Sequence, residues 1–138
     1  MPPLPARPSI YEINTAVWLR ELSEAERRPV TLGTVRAATW DAIAALGMHA
    51  VWFMGVWERS PEGRRVALAN PSLAADFRRA LPDVTDDDVL ASPYAVCRYR
   101  VDERFGGPEG LARARAALAE RGLSLVVDFV PNLSLIHI

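Results

Sequence analysis

The distribution of apolar residues along the chain predicts strands that alternate with helices. Residues 9–14 alternate apolar and polar side chains, which is typical of a short strand. Two further segments, 49–54 and 123–130, are nearly continuous apolar runs, as expected for strands that are buried on both faces of a parallel sheet. His49 opens the first of these runs, so we expect a hydrogen-bonded histidine in the core.

Helices are expected between these strands. A helix is predicted over 34–46, before Gly47, because these residues recur at helical spacing: Val35, Thr39, Ala42, Ile43 and Leu46. A helix is also expected near 71–81, and a short one after Thr85. The segment 107–122 starts with Pro108, which suits a first helical turn, and its predicted buried stripe is Leu111, Ala114 and Leu118. The order strand, helix, strand, long insertion, helix and strand predicts an α/β fold with a parallel sheet.

The composition narrows the class of protein. The chain has 138 residues, of which 50% are apolar and 24% charged, so it corresponds to one globular domain or to a piece of a larger one. A net charge of −1 gives no basic surface for nucleic acid, and no apolar run approaches the roughly 20 residues of a membrane span. One cysteine, Cys97, excludes an internal disulfide and suits a reducing compartment. We therefore expect a cytoplasmic protein without nucleic-acid or membrane partners; the composition leaves the oligomeric state open.

Polar residues follow the predicted strands at the edge where such sheets bind ligands, beyond the strands' carboxyl ends. They are Asn14, the loop 57–59, Asp128 and Asn132. Asp128 could ligate a metal, accept hydrogen bonds from substrate hydroxyls, or only stabilise its own loop before Pro131. Tyr94 lies in a Ser-Pro-Tyr turn, where its ring could pack against the protein or against the apolar face of a sugar.

Several other groups favour structural roles. The glycines around Pro108 follow no strand directly, and proline lacks an N–H for phosphate, so a helix start is favoured over a phosphate loop. Thr85 and Asp88 have the spacing of a helix cap, and the alternating ligands of a calcium loop are absent from the acidic segment 83–88. Cys97 is predicted to be a small buried side chain and Trp52 a core residue, and Trp57 fits either core or rim.

Three stretches together resemble the alpha-amylase family, glycoside hydrolase family thirteen. The first is GMHAVWFMGVW at 47–57, which is similar to the family's second barrel strand. The second is SPYAV at 92–96 followed by Tyr99, Asp102 and the FGG at 105–107. The third is GLSLVVDFVPN at 122–132, which is similar to the family's first signature region on strand three. Their order and separations also fit, and they cover most of residues 9–132.

The resemblance implies the first three or so units of a (β/α)8 barrel of the TIM type. It implies a glycosidase that acts on an alpha-glucan or alpha-glucoside with retention of configuration, with glucosyltransferase and isomerase as alternatives within the family. Asp128 matches the aspartate that supports the floor of the substrate site, and Tyr94 matches the tyrosine that stacks on the sugar. Asn132 matches a metal ligand of the calcium-dependent members, so calcium is the one cofactor implied.

The sequence departs from the family where a histidine should follow Asn132, because position 133 is a leucine. Residues 133–138 continue no pattern and are expected to be a non-native tail, after a proline-rich lead at 1–8 and barrel sequence at 9–132. The family's three catalytic carboxylates lie on later strands, so no catalytic residue is assigned and the chain alone is expected to be inactive. A non-catalytic βα protein and a nucleotide-binding doubly wound domain are the alternatives outside the family.

Overall fold

A computed structural model of the chain describes residues 4–131, which form two units. The first contains residues 4–56 and 100–129, and the second contains 57–99 with 130–131. Asn132 and the predicted tail at 133–138 lie outside the described residues. In chain order the elements are β1 (Ile10–Asn14), α1 (Thr15–Glu26), α2 (Ala37–Ala44), β2 (Ala50–Met54), β3 (Trp57–Arg59), α3 (Pro61–Ala69), α4 (Pro71–Ala80), β4 (Val96–Val101), a 3-10 turn (Glu103–Phe105), α5 (Gly107–Ala119) and β5 (Ser124–Val127).

The first unit is built on a three-stranded parallel sheet with strand order β1-β2-β5. Phe53 in the central strand pairs with Ile13 on one side and Val127 on the other. The predicted parallel sheet is therefore confirmed. The prediction that the strands at 49–54 and 123–130 are buried on both faces holds only in part, because Trp52 and Met54 in β2 are half-buried. Three residues of β5 are half-buried as well, namely Leu125, Val126 and Val127. Ile10 and Tyr11 in β1 are exposed. Among the described strands β1 lies at an edge of the sheet, where fewer neighbours cover it.

One face of this sheet packs against helices through aromatic rings. Phe53 is fully buried, and its ring centroid lies 6.0 Å from that of Trp18 in α1 and 6.2 Å from that of Trp40 in α2. Helix α5 packs against β5 and buries Ala114 and Leu118, two residues of its predicted stripe. The third, Leu111, is half-buried. Strand side chains alternate between faces, so Val51 and Phe53 lie on the helix-covered face, and Trp52 and Met54 lie on the opposite one.

Two features of the helices differ from the sequence prediction. Helix α1 was not predicted, because the polar residues from Arg20 to Pro29 hide its short apolar face, of which Leu19 is buried. Helix α2 is shorter than the predicted 34–46 and buries Trp40 and Ile43, whereas Leu46 is exposed beyond its end. Gly47 has a φ of 70°, as expected for the residue that ends this segment.

The second unit is formed by the segment that the sequence predicted to be a long insertion, and it contains regular secondary structure. Strands β3 and β4 pair in a two-stranded sheet, so the segment 57–59 is a strand and not a loop. Helix α4 confirms the helix predicted near 71–81, and α3 was not predicted. The segment after Thr85 is a turn and not a helix, in which the Asp88 carboxylate accepts hydrogen bonds from the Thr85 N–H (2.9 Å) and hydroxyl (2.8 Å).

Within residues 4–131, none of the helices has the length and the apolar character that crossing a membrane requires.

Candidate functional site

Asp128 immediately follows β5, at the carboxyl edge of the parallel sheet. In the register of the sheet Trp52 pairs with Val126, so Asp128 lies two residues further along the neighbouring strand. Because side chains two residues apart point to the same face, Trp52 and Asp128 share the face opposite the helices. The strand register thus places Asp128 diagonally across from the long side chain of Trp52.

The carboxylate of Asp128 accepts hydrogen bonds at both oxygens. The indole Nε1–H of Trp52 donates to Oδ1 over 2.8 Å, and the backbone N–H of Gly55 donates to Oδ2 over 2.5 Å. The residue is 8% exposed, so these donors replace water around the charge. A hydrogen bond to a charged group contributes about 1.5–3 kcal/mol net, and losing the donors would cost more in a buried setting. The arrangement fixes both the position and the plane of the carboxylate.

Gly55 contributes through its backbone. It follows β2 directly, is buried, and has a φ of 76°. A residue with a Cβ would pay roughly 1–2 kcal/mol in this left-handed conformation. Glycine therefore lets the chain turn sharply at the end of β2 with its N–H directed at Asp128. Neither Trp52 nor Gly55 was predicted to be a site residue.

The other acidic and amide groups near this edge have different roles. Asn14 ends β1 opposite Met54, and its side-chain oxygen accepts a hydrogen bond from the Val17 N–H over 3.4 Å. It therefore caps α1, which is the structural role of such a residue. Glu12 pairs in register with Trp52 and is exposed on the same face of the sheet. The alternation of residues 9–14 could have placed Glu12 on this face, but the register with Trp52 cannot be read from the sequence.

Tyr94 belongs to the second unit and is 40% exposed. Its backbone N–H donates to the Ser92 hydroxyl over 3.3 Å, which fixes the Ser-Pro-Tyr turn locally. An exposed ring in a fixed turn can offer a flat apolar face to a ligand. That Tyr94 is a sugar platform stays a prediction, as does substrate binding by Asp128.

Tyr99 holds the chain that follows Asp128. Its phenol oxygen accepts a hydrogen bond from the Val130 N–H over 2.9 Å, and its ring meets that of Trp57 edge-on with 5.5 Å between centroids. Trp57 is half-buried, between the core and rim positions that the sequence allowed. The sequence identified Tyr99 only as part of a motif, because a bond between residues 31 positions apart leaves no local signal.

Three predictions about individual residues need correction. His49 is exposed and not in the core, because it lies just before β2, where its Nδ1 accepts from the Ser9 N–H over 3.1 Å and lies 2.7 Å from the Ser9 hydroxyl. Cys97 is half-buried and not fully buried. Its thiol donates a hydrogen bond to the Arg59 carbonyl oxygen over 3.5 Å. Trp52 is likewise half-buried, and its indole N–H serves Asp128 instead of only filling the core.

Asp102, the acidic residue of the second motif, has a structural role. It is 8% exposed and caps the 3-10 turn by accepting a hydrogen bond from the Arg104 N–H over 2.9 Å. It also pairs with the guanidinium of Arg104, at 3.0 Å from Nε to Oδ1. Hydrogen bonding to Asp102 raises the pKa of Arg104, against the opposing effect of partial burial.

The calcium ion that the resemblance implies stays a prediction. Within 4–131 there is no group of three or more acidic, histidine or cysteine side chains that could hold a metal ion. Asn132, the predicted ligand, lies outside the described residues. Two N–H groups, from Trp52 and Gly55, donate to the Asp128 carboxylate.

Comparison with known proteins gives a structural likeness. No protein-family model matches the sequence, and no curated protein matches it. The chain is similar to a solved structure of a mutant of maltooligosyltrehalose synthase from Arthrobacter ramosus, with a TM-score of 0.54 and 25% sequence identity. The match covers 90% of this chain and 11% of the synthase chain. The chain thus spans about a tenth of the length of this neighbour.

Proposed function

We propose that this chain is the N-terminal part of an alpha-amylase-family enzyme that acts on alpha-glucosidic bonds. The observation that carries the proposal is the carboxylate of Asp128, held by Trp52 and Gly55 at the carboxyl edge of a parallel sheet. This is the edge at which barrel enzymes bind their substrates. Asp128 is also the acidic residue of the stretch that resembles the family's first signature region.

The structural neighbour supports the same class of substrate. Its name describes an enzyme that makes an oligosaccharide, maltooligosyltrehalose. The resemblance of the sequence motifs and the likeness of the folds therefore agree on carbohydrate chemistry. Hydrolysis is the reaction we propose, with glucosyl transfer and isomerisation as alternatives that the products of the reaction distinguish.

In the proposed enzyme, this chain forms one part of a longer barrel, and the remaining strands supply the reacting groups. A (β/α)8 barrel takes roughly 250 residues, and the described sheet has three parallel strands. Retaining glycosidases need two carboxylates about 5–5.5 Å apart, and the family resemblance assigns them to later strands. In our proposal Asp128 shapes the floor of the substrate site and Tyr94 supplies a stacking surface, while the reacting carboxylates come from outside this chain.

Calcium binding and a cytoplasmic location are two further proposals. A calcium ion would be held by Asn132 together with groups beyond the described residues, and no catalytic step is derived through it. The single cysteine supports a cytoplasmic location, which fractionation of the source cells would test.

The test is an assay of the complete reading frame that contains residues 9–131. The purified protein is incubated with maltopentaose, and the products are separated by chromatography. We expect shortened glucans for hydrolysis, redistributed chain lengths for glucosyl transfer, and an unchanged length with a new linkage for isomerisation. A complete protein that leaves alpha-glucans unchanged would refute the proposal and favour a non-catalytic βα protein.

A matched pair of variants ties the activity to the site. Asp128→Ala should lower kcat/KM by about a hundredfold or more, since the floor of the site loses a fixed charge, corresponding to roughly 3 kcal/mol of transition-state stabilisation. The control is Asp41→Ala, which removes an exposed aspartate on α2 that pairs with Arg121. Equal losses in the two variants would contradict a role of Asp128 in the site.

A further inference from the structure

We infer that Trp52 is a positioning residue, whose indole N–H sets the side-chain orientation of Asp128. The functional consequence rests on the proposed function: Trp52 would orient the Asp128 carboxylate toward a bound sugar. Neither the motif resemblance nor the structural neighbour gives Trp52 this role.

The geometry explains why a tryptophan stands at this position. Residues at diagonal positions of neighbouring strands have Cα atoms about 7–8 Å apart, a gap that only long side chains bridge. The indole reaches across and ends in an N–H that donates to Oδ1 of Asp128 over 2.8 Å. Phenylalanine would keep an aromatic ring at this position, but it is smaller and has no donor. The substitution Trp52→Phe therefore removes the hydrogen bond while keeping an aromatic ring.

The indole and the Gly55 amide act on different oxygens of the same carboxylate. Oδ1 accepts from Trp52 and Oδ2 accepts from Gly55. One donor alone lets a carboxylate rotate about the axis of that bond, whereas two donors on two oxygens define its plane. Removing the indole donor should therefore release the Asp128 side chain to sample other χ1 rotamers, even though the Gly55 amide remains.

Glu12 offers a second carboxylate to the same indole. It pairs in register with Trp52 on the other neighbouring strand and lies on the same face of the sheet. The indole nevertheless donates to Asp128, which is buried, while Glu12 is exposed to water that can solvate it. A buried carboxylate gains more from a fixed donor than an exposed one does. Glu12→Gln is accordingly a control that changes a charge beside Trp52 without breaking its hydrogen bond.

The experiment is NMR on the complete protein that contains residues 9–131, with isotope labels at aspartate and tryptophan. Three-bond couplings to the Asp128 carboxyl carbon report its χ1 populations, and solvent exchange of the Trp52 indole N–H reports the hydrogen bond. In the unsubstituted chain we expect one dominant χ1 rotamer and a protected indole N–H. Trp52→Phe should give averaged couplings at Asp128, and Asp128→Ala, which removes the acceptor, should speed exchange of the indole N–H by about tenfold or more.

The controls separate positioning from a general loss of stability. Trp18→Phe shortens another half-buried tryptophan of the same unit, which packs against Trp40 and Phe53. It should lower the melting temperature about as much as Trp52→Phe while leaving the Asp128 couplings unchanged, and Glu12→Gln should leave indole exchange unchanged. Unchanged Asp128 couplings in Trp52→Phe, or an unprotected indole in the unsubstituted chain, would overturn the inference.

An activity measurement distinguishes a failure of this inference from a failure of the proposed function. In the complete protein, Trp52→Phe should lower kcat/KM for maltopentaose by about tenfold, and Trp18→Phe should change it by less than about twofold per folded molecule. If the Asp128 couplings respond as expected but the protein does not act on glucans, the proposed function fails and the positioning role stands. If the couplings do not respond, the positioning role fails whatever the activity.

Discussion

Gly33 and Gly110 approach each other so closely that a side chain at either position would make unusually tight contacts with the other segment. A Cβ built on Gly33 would lie 3.1 Å from the Cα of Gly110, and a Cβ on Gly110 would lie 3.3 Å from the Gly33 nitrogen and from the Phe105 carbonyl oxygen. The neighbouring Leu32 N–H donates to that carbonyl over 2.9 Å. The loop before α2 thus rests directly on the backbone of the first turns of α5.

Gly110→Ala should therefore destabilise the protein although alanine is the better helix former. Intrinsic propensity alone would favour alanine in α5 by about 1 kcal/mol. Overpacking against two backbone atoms should cost about 1–3 kcal/mol and outweigh that gain. Chemical denaturation followed by far-ultraviolet circular dichroism measures the balance. A variant that is more stable than the unsubstituted chain would show that the loop and α5 can separate without cost.

The pair Asp102 and Arg104 should contribute unequally to stability. Asp102 is buried and caps the 3-10 turn, so Asp102→Ala should cost about 0.5–2 kcal/mol from the lost cap alone. More than half of the Arg104 side chain is exposed, so Arg104→Ala should cost less, about 0.2–1 kcal/mol. Denaturation midpoints of the two variants test this order. Equal or reversed costs would mean that the ion pair, and not the cap, stabilises the turn.

This pair also predicts how stability responds to pH. The pKa of Arg104 is raised by its hydrogen bond to Asp102, so its stabilising effect is fully present below the ordinary arginine pKa and is lost only above the raised one. Both lie above the range in which the protein would be studied. Arg104→Ala should therefore lower the unfolding free energy by the same amount at pH 7 and pH 9. A difference that grows between these two values would contradict the assignment.

The parallel sheet could be predicted from the sequence because its central strand is an unbroken apolar run. The segment 49–54 has no polar side chain after His49, and burial on both faces leaves that pattern. Helix α5 was also predictable, since Pro108 and the stripe at Ala114 and Leu118 are local signals. Helix α1 was missed because many of its twelve residues are polar and its buried face is short.

The hydrogen-bonding partners of the candidate site could not be predicted in the same way. The position of Asp128 at a strand end is visible in the sequence, but its donor Trp52 lies 76 residues away. Their pairing depends on strand register, and a shift of one residue would turn one of them to the other face. Gly55 leaves even less signal, because its contribution is a backbone N–H in a left-handed turn.

Tyr99→Phe should free the backbone of Val130 while leaving the aromatic packing intact. The phenol oxygen accepts the Val130 N–H over 2.9 Å, and the ring contact with Trp57 does not involve that oxygen. We expect a loss of about 0.5–1.5 kcal/mol, as for an ordinary hydrogen bond, with faster amide exchange at Val130. Tyr11→Phe is the control, because Tyr11 lies in β1 outside this contact. Unchanged exchange at Val130 in Tyr99→Phe would show that the bond does not hold the segment.

Tyr94→Ala should impair catalysis more than stability if the ring is a sugar platform. The side chain is 40% exposed, so its removal should lower the melting temperature little, whereas loss of a stacking surface should reduce kcat/KM for maltopentaose by about tenfold, or roughly 1.4 kcal/mol. Tyr11→Ala provides a matched control, since Tyr11 is 39% exposed but lies on the helix-facing side of β1. It should cost similar stability and leave kcat/KM per folded molecule unchanged. A Tyr94→Ala variant that unfolds at much lower temperature, yet keeps full activity per folded molecule, would instead assign Tyr94 to packing within its own unit.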